Sequence, residues 1–387
     1  MPLIDPQALH RKMTAWRHGL HAHPEFGFEE HRTAAFVAAK LREFGLDEVV
    51  EGVGGTGVVA TLRRGYSNRA IALRADMDGL RVQERGTPAW RSQIDGVMHA
   101  CGHDGHTAML LGAARVLAHE GGFDGTIRFV FQPAEEWGRG ALAMLDDGLM
   151  SRFPFDEIHG IHNWPGMPVG HFEICPGPIM SAEDIFEIAL RGLGGHASRP
   201  HEGSEVMVAA CSIVVSLQTI VSRRLSPTDI AVVSVTELLT DGTRNVLPGE
   251  ARILGDARSF RPEVSAGIQA QMRRIAEGTA FAHSCMADVT YSRQFVPLIN
   301  DPDLTGAVLE AAARVFKPGG IKGDRAPITA SEDFARFLDH VPGTFGFIGN
   351  GEASLPLHNC RFDFNDEALP FGMHYHVAVA RQRLPVP

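Results

Sequence analysis

Long apolar runs, basic clusters and paired cysteines are all missing from this sequence of 387 residues. No signal-like apolar run opens the chain, and no stretch reaches the roughly 18 to 20 uninterrupted apolar residues that a membrane-spanning helix requires. The five cysteines show no pairing rhythm, and an odd number without an export signal argues against a disulfide framework. These absences predict a soluble, cytoplasmic protein in which a cysteine is available as a thiolate.

Positive charge is also scarce. The chain has 36 Lys and Arg but 46 Asp and Glu, which gives a formal net charge of −10. No block of Lys or Arg offers the footprint that nucleic acid or an anionic membrane requires. Histidine, in contrast, is abundant, with 19 residues, several of them in short polar clusters. Imidazole is the commonest protein ligand of transition metals, so this abundance indicates metal binding.

The order of apolar patterns predicts an α/β protein of two domains. Strand and helix patterns alternate in the first half of the chain and return near its end, which is typical of a mostly parallel sheet flanked by helices. Between them, residues 185–293 read β-α-β-β-α-β, the ferredoxin-like arrangement of an α+β domain. We therefore predict a catalytic domain of residues 1–179 and 296–387, interrupted by an inserted domain of residues 180–295.

The densest polar cluster is MHACGHDGH at residues 98–106, directly before a helical pattern. Cys101 and His103 are separated by one glycine, so a bent loop can direct both side chains at one point. A lone His or Cys is more often a surface or core residue than a ligand. Four such residues in one short loop favour a metal site for zinc, manganese, cobalt or nickel.

A second cluster, QPAEE at residues 132–136, follows an apolar strand that Pro133 prevents from continuing. Adjacent carboxylates on an irregular turn can point in different directions, so one can bind metal while the other handles the proton of a metal-bound water. Two solvated glutamates at a helix start are the alternative. His162 and His358 are weak candidates individually, but two metals about 3.5 Å apart need more ligands than the first two clusters supply.

Together these motifs resemble one family. RADMD at 74–78, the cluster at 98–107, QPAEE, GIHN at 160–163, GGHA at 194–197, SEDF at 331–334 and LHN at 357–359 occur in its order and spacing. It is the amidohydrolase branch of the dinuclear-metal aminoacylase and carboxypeptidase superfamily, which includes hippurate hydrolase and indole-3-acetyl-amino-acid hydrolase. The resemblance runs from about Arg17 to the C-terminus.

The resemblance implies roles for individual residues. It makes Glu135 the general base and then acid, and His196 the donor that polarises the scissile carbonyl, either in its own or in the neighbouring subunit. It makes the inserted domain a lid and the surface of a homodimer. It assigns two divalent metal ions to five ligands, Cys101, His103, Glu136, His162 and His358.

Asn245 and Arg258 resemble lid positions that contact the substrate, although Asp256 stands where many relatives have Thr and can pair with Arg258. Asp76 and Asp78 are expected to hold the ligands in place rather than to bind metal, since the carboxypeptidase branch has a His ligand at the position of Asp76. A structural zinc site would have no spare carboxylate such as Glu135.

The predicted function is metal-dependent hydrolysis of the amide bond of N-acyl amino acids, for example hippurate-like conjugates. Two alternatives stay open. A dipeptidase or carboxypeptidase acting on free peptides would use the same metals, and a non-catalytic relative would bind a metal or acyl ligand without turnover. The presence of Glu135 and of all candidate ligands argues against the second alternative.

Overall fold

The computed structural model describes residues 4–387, and the chain divides into two compact units. The first unit ends at Ile179 and resumes with Ile299–Ala326 and Glu332–Pro387, while the second comprises Met180–Leu298 and Pro327–Ser331. The second unit thus continues three residues beyond the predicted boundary at 295, and it also takes the segment 327–331, for which the sequence pattern gives no indication.

Among the described residues, seven α-helices belong to the first unit and two to the second. The α-helices are α1 Pro6–His21, α2 His31–Glu43, α3 His103–Glu120, α4 Gly140–Asp146, α5 Leu149–Arg152, α6 Val206–Thr219, α7 Pro262–Ala282, α8 Pro302–Ala312 and α9 Leu369–Arg383. A π-helical turn, Ile220–Arg224, follows α6, and 3₁₀ helices occupy Glu135–Trp137, Pro200–Glu202, Asp333–Asp339 and Asp366–Ala368.

The strands of the described residues are β1 Glu48–Val53, β2 Gly57–Arg64, β3 Ala70–Asp76, β4 Gly125–Gln132, β5 Glu157–Trp164, β6 Phe172–Glu173, β7 Gly177–Met180, β8 Ala182–Arg191, β9 Gly195–His196, β10 Ala231–Thr240, β11 Val246–Leu247, β12 Glu250–Ser259, β13 Met286–Phe295, β14 Leu298–Asn300, β15 Ile321–Lys322 and β16 Gly343–Gly349. In the 3₁₀ helix Asp333–Asp339, Phe334 and Phe337 are fully buried. Their spacing of three residues suits the three-residue turn of that helix.

The first unit is built on an eight-stranded sheet in the order β1-β2-β4-β3-β5-β16-β6-β15. Its central strands β4, β3, β5 and β16 are parallel, and their side chains are almost entirely buried, as expected for strands covered by helices on both faces. The carboxyl ends of these four strands therefore lie along one edge of the sheet. Asp76, Gln132 and His162 all stand at that edge.

The second unit has an antiparallel four-stranded sheet in the order β10-β12-β8-β13. Its elements follow one another as β8, α6, β10, β12, α7 and β13, which is the predicted ferredoxin-like order. Both helices pack in the same hydrophobic core as the sheet. The predicted α/β class with an inserted α+β unit is confirmed.

One helical segment differs from the sequence-based expectation about membranes. Val206–Arg224 is long and apolar enough to span a membrane, judged by length and composition alone. The same composition is typical of a core helix, and the buried residues of this segment belong to the hydrophobic core of the second unit: Val206, Ala209, Ala210, Ile213, Leu217 and Ile220.

Candidate metal centre and catalytic residues

The turn that carries Cys101 and His103 lies against the end of β5. Gly102, between them, has a φ of 98°, and a Cβ there would come within 2.4 Å of Asn163 Oδ1. Only glycine fits this left-handed position and this close approach. As a result Cys101 Sγ lies 3.4 Å from His162 Nε2, and both side chains are buried.

The turn before Glu135 explains how two adjacent carboxylates diverge. Ala134 adopts a left-handed conformation with φ 47°, and its N–H donates to Glu30 Oε1 at 2.8 Å. Glu30 is fully buried and also accepts a hydrogen bond from Thr56. The 3₁₀ helix that follows places Glu135 in the interior, while Glu136 Oε1 lies 3.4 Å from His358 Nε2 and 3.9 Å from His103 Nε2.

His358 reaches this site from a distant part of the chain. Its backbone N–H donates to the carbonyl oxygen of Ala100 at 2.8 Å, and its φ is 63°, an unusual value for a residue other than glycine. The hydrogen bond attaches the 357–359 loop to the loop of Cys101, and the side chain remains half exposed, at 54%.

The structure brings all five predicted ligands together. Two groups, whose ligand atoms lie within 4.8 Å of one another, share Cys101: one adds His103 and His162, and the other adds Glu136 and His358. His103 Nε2 and Glu136 Oε1 are buried without a hydrogen-bond partner. Such orphaned atoms are rare in proteins unless something else satisfies them. The thiol, imidazole and carboxylate groups fit a divalent transition metal such as zinc.

Asp78 holds His103 and Glu136 from behind, whereas Asp76 lies beside the metal-facing nitrogen of His103, with Asp76 Oδ2 3.8 Å from His103 Nε2. Asp78 Oδ1 lies 3.2 Å from His103 Nδ1, and Asp78 Oδ2 accepts from the N–H of Glu136 at 3.1 Å. Asp76 Oδ1 lies 2.6 Å from Nδ1 of His106. When His103 Nδ1 donates to Asp78, its Nε2 carries a free lone pair toward the centre, which is the usual arrangement of a metal-binding histidine.

Carboxylates concentrate negative charge at the predicted metal centre. The pKa of His103 is raised to about 10, because Asp76 and Asp78 outweigh the lowering effect of burial. The pKa of Glu135 lies well above its ordinary value, owing to burial and then to the nearby Glu332. Burial and the adjacent Glu136 raise the pKa of the Cys101 thiol. A divalent cation would relieve this repulsion and release the thiol proton.

Of the candidate residues of the second unit, His196 and Asn245 are exposed and Arg258 is partly buried. His196 in β9 pairs with Val246 in β11, and the carbonyl oxygen of Asn245 accepts from the N–H of Ala197 at 3.1 Å, so His196 and Asn245 stand on one two-stranded ribbon. Arg258 lies elsewhere in that unit, on β12. Its Nε donates to Asp256 Oδ1 at 2.8 Å, the pairing indicated by the sequence.

Ser198, which sequence reasoning missed, defines the tautomer of His196. Its backbone N–H donates to His196 Nδ1 at 3.1 Å, and its hydroxyl lies 2.8 Å from the same nitrogen. Because Nδ1 accepts a hydrogen bond, the proton of the neutral imidazole resides on Nε2. The side chain therefore presents a donor, as the predicted polarisation of a carbonyl requires.

Comparison with known proteins decides the family. The profile of the peptidase family M20/M25/M40 matches residues 72–382. This chain belongs to that family. It is 37% identical over 382 residues to hippurate hydrolase of Campylobacter jejuni, covering 99% of this chain and 98% of the relative.

Other M20 relatives agree with this assignment. An N-acetyl-L-cysteine deacetylase of Bacillus subtilis is 37% identical over 367 residues, covering 95% of this chain and 86% of the relative. The crystal structure of a dinuclear metal-binding M20 peptidase from Bacillus subtilis aligns with a TM-score of 0.87 at 33% identity, covering 98% of this chain and 99% of that chain. The predicted family is confirmed, and the protein is a metal-dependent amidohydrolase.

Several residues at this M20 site were not assigned a role from the sequence. Glu332 and Asp333 have carboxylate oxygens within 4.8 Å of Glu135, and Arg74 contacts both of them. The signals for Arg74 were its place in the RADMD motif and its position two residues before Asp76 on a strand, where both side chains share a face. No sequence feature indicated the contact of Glu30 with Ala134.

Proposed function

We propose that this amidohydrolase cleaves the amide bond of N-acyl amino acids, using two divalent ions held by the five ligands described above. Zinc or manganese suits this mixed donor set best, and cobalt or nickel would also fit. The names of two similar proteins, hippurate hydrolase and N-acetyl-L-cysteine deacetylase, support this substrate class. Both names describe an acyl group attached to the nitrogen of an amino acid.

The observation that carries the proposal is the position of Glu135. It is buried beside Glu136 and His103, within reach of the ligand group, yet the five ligands implied by the family resemblance do not include it. Its Oε1 is only weakly engaged, at 3.4 Å from the N–H of Asp333. A carboxylate that is close to the ligands but not required as one is suited to move a proton.

The reaction adds water across the amide. Two bound ions would polarise the carbonyl and lower the pKa of the attacking water toward roughly 7. Glu135 accepts a proton from that water as the new carbon–oxygen bond forms. It then donates the proton to the amide nitrogen as the carbon–nitrogen bond breaks. The products are a carboxylate and a free amino acid, and Glu135 returns to its starting state.

His196 is suited to stabilise the oxygen that becomes negative. With Nδ1 occupied by Ser198, Nε2–H is available to donate to the former carbonyl oxygen. A donor directed at such an oxyanion in a dry site contributes about 3 kcal/mol to the stability of the transition state.

Arg258 and Asn245 are proposed to contact the carboxylate of the amino-acid product. Arg258 is not free for this task, since Nη1 also lies 3.3 Å from Glu183 and 2.9 Å from Ser331 Oγ. A substrate carboxylate would have to compete with Asp256 and Glu183 for the guanidinium. Its contribution to binding is therefore expected to be modest.

We also propose a homodimer formed through the second unit. Strand β10 lies at an edge of its sheet and exposes the side chains of Val232, Leu238 and Leu239. An exposed apolar edge strand is normally covered by another chain or element. Light scattering should show a dimer, and replacing Leu239 by Lys should shift it toward the monomer.

The experiment that tests the function is a substrate panel. Chelated enzyme reloaded with zinc, manganese, cobalt or nickel is assayed on N-acetyl, N-benzoyl and indole-acetyl amino acids and on dipeptides. We expect acyl amino acids to give the highest kcat/KM. Preference for dipeptides would replace the proposal by a peptidase function, and absence of cleavage with two ions bound would indicate a non-catalytic relative.

A further inference from the structure

Arg74 is a fully buried cation that the mechanism above does not use. Its side chain is 1% exposed, and each guanidinium nitrogen has a partner. Nε donates to Gln132 Oε1 at 2.8 Å, and Nη1 donates to Asp76 Oδ2 at 2.7 Å. Nη2 donates to Glu332 Oε1 at 2.8 Å and to Asp333 Oδ1 at 3.3 Å.

These partners lie on three separate segments. Asp76 ends β3, Gln132 ends β4, and Glu332 with Asp333 opens the 3₁₀ helix Asp333–Asp339. Gln132 Nε2 also donates to Asp333 Oδ1 at 2.6 Å, and Asp333 Oδ2 accepts from the N–H of Ala141 at 2.9 Å. One planar guanidinium therefore fixes the relative positions of the three segments.

Two of these segments contact the metal centre and the proposed base. On one side, Asp76 Oδ2 lies 3.8 Å from His103 Nε2, and Asp76 also contacts His106. On the other side, the N–H of Asp333 points at Glu135 Oε1. These contacts run from His103 through Asp76, Arg74 and Asp333 to Glu135, and all five residues are buried.

We propose that Arg74 is a positioning residue that holds the metal centre and Glu135 in register. A lysine can replace the charge of Arg74 but not its planar fork of five donors, so it cannot serve four partners in one plane. The expected effect on kcat rests on the proposed hydrolysis, whereas the expected effect on metal binding does not.

The test is Arg74→Lys, measured by cobalt(II) titration of the chelated protein and by steady-state kinetics. We expect cobalt affinity and kcat each to fall by about 10- to 100-fold, the range typical for partners behind a metal ligand. KM should stay within about 3-fold, because Arg74 does not contact substrate. The visible spectrum of bound cobalt should change. Guanidinium chloride at millimolar concentration should partly restore the cobalt affinity and kcat of Arg74→Ala.

A matched control is Arg383→Lys. Arg383 also makes a two-pronged contact with a buried carboxylate, at 2.7 and 2.9 Å to Glu157, but at the amino end of β5 rather than at the carboxyl edge. This variant should lose stability while keeping the cobalt spectrum, cobalt affinity and kcat of its folded fraction. Equal losses in both variants would show that Arg74 acts only through general stability, and the inference would be wrong.

A second variant keeps the inference testable if Arg74→Lys does not fold. Glu332→Gln preserves shape and removes one of the charges that hold Arg74, so it should by itself lower cobalt affinity and kcat. Where Arg74→Lys does fold, the effects of the two substitutions should not multiply. Unchanged cobalt binding and kcat in either variant would overturn the proposal. If the wild type cleaves no substrate, the proposed function fails. Cobalt titration of the variants still tests whether Arg74 supports metal binding.

Discussion

The two units hold their chemical groups in opposite ways. In the first unit, Cys101, His103 and Glu135 are buried, and carboxylates behind them fix the geometry. In the second unit, His196 and Asn245 are exposed, and Arg258 is engaged by carboxylates of its own sheet. The chemical groups of the first unit would thus be held rigidly, whereas those of the second could change their contacts.

This difference separates preorganised chemistry from substrate recognition. Buried groups with fixed partners need no rearrangement when charge develops, and their interactions are strong because water is excluded. Exposed donors gain comparable strength only when a substrate excludes water around them. Changes in the first unit should therefore abolish metal binding or turnover, whereas changes in the second should alter rate or affinity by smaller factors.

The largest effect is expected for Cys101→Ser. The hydroxyl is a harder and much less acidic ligand than the thiol, and Cys101 belongs to both ligand groups. We expect metal affinity to fall by more than about 100-fold, with parallel loss of activity. Metal analysis after equilibrium dialysis measures this directly. Full metal content with an unchanged rate would remove Cys101 from the ligand set.

His196→Ala should reduce turnover without loss of metal. Loss of the Nε2–H donor should lower kcat by about 100- to 1,000-fold, as for other oxyanion donors. Metal content should not change, because His196 belongs to neither ligand group. Metal analysis and steady-state kinetics on the same sample separate the two outcomes. A variant with normal kcat would show that His196 only supports its turn.

Asp256→Asn should improve rather than impair substrate binding. The substitution removes the charge that Arg258 Nε contacts at 2.8 Å, so the guanidinium can turn to a substrate carboxylate. We expect KM for an N-acyl amino acid to fall by about 3- to 10-fold, with kcat nearly constant. The amide of the same substrate, which lacks the carboxylate, is the control. A KM that rises for both compounds would exclude Arg258 as the carboxylate site.

The smallest effects concern stability, and here two ion pairs of equal geometry can be compared. Glu157 with Arg383 is buried in the first unit, whereas Glu187 with Arg252 lies at the surface of the second, with contacts of 2.7 and 2.6 Å. Glu157→Gln should lower the free energy of unfolding by about 2 kcal/mol. Glu187→Gln should cause a much smaller loss, because water and salt screen exposed pairs.

The loss of unfolding free energy in Glu157→Gln should depend on pH in a defined direction. Hydrogen bonds from Arg383 and His159 outweigh burial and lower the pKa of Glu157 to about 2. A carboxylate with a lowered pKa stabilises the fold above its ordinary pKa of about 4.5 and loses that effect as pH falls toward 2. Wild type and Glu157→Gln should therefore differ at neutral pH and converge in acid. A difference that grows in acid would contradict the assignment.

Short-range patterns predicted much of this structure. The spacing of Cys101 and His103 around a glycine, and the adjacent pair Glu135 and Glu136, follow from local turn chemistry, and the structure places them together. The ferredoxin-like order followed from periodicity alone. Asp256 and Arg258 are two apart on a strand, so their side chains share a face and pair.

Contacts between distant segments could not be predicted in this way. Arg74 and Glu332 are 258 positions apart, and their contact depends on how β3 and the 3₁₀ helix at Asp333–Asp339 pack. The turn at Ala134 depends on Glu30, 104 positions away. The strand Glu48–Val53 lies mostly outside the core, with only Val53 buried. Cytoplasmic localisation stays a prediction.

The central claim is that Glu135 moves the proton while other residues bind the metals. Its most direct test is Glu135→Gln, which keeps the size of the side chain and removes the base, measured for metal content and for turnover of an N-acyl amino acid. We predict two equivalents of metal, as in the wild type, and kcat reduced by about 1,000-fold or more. Loss of a metal ion would instead make Glu135 a ligand, and retained turnover would place the base elsewhere.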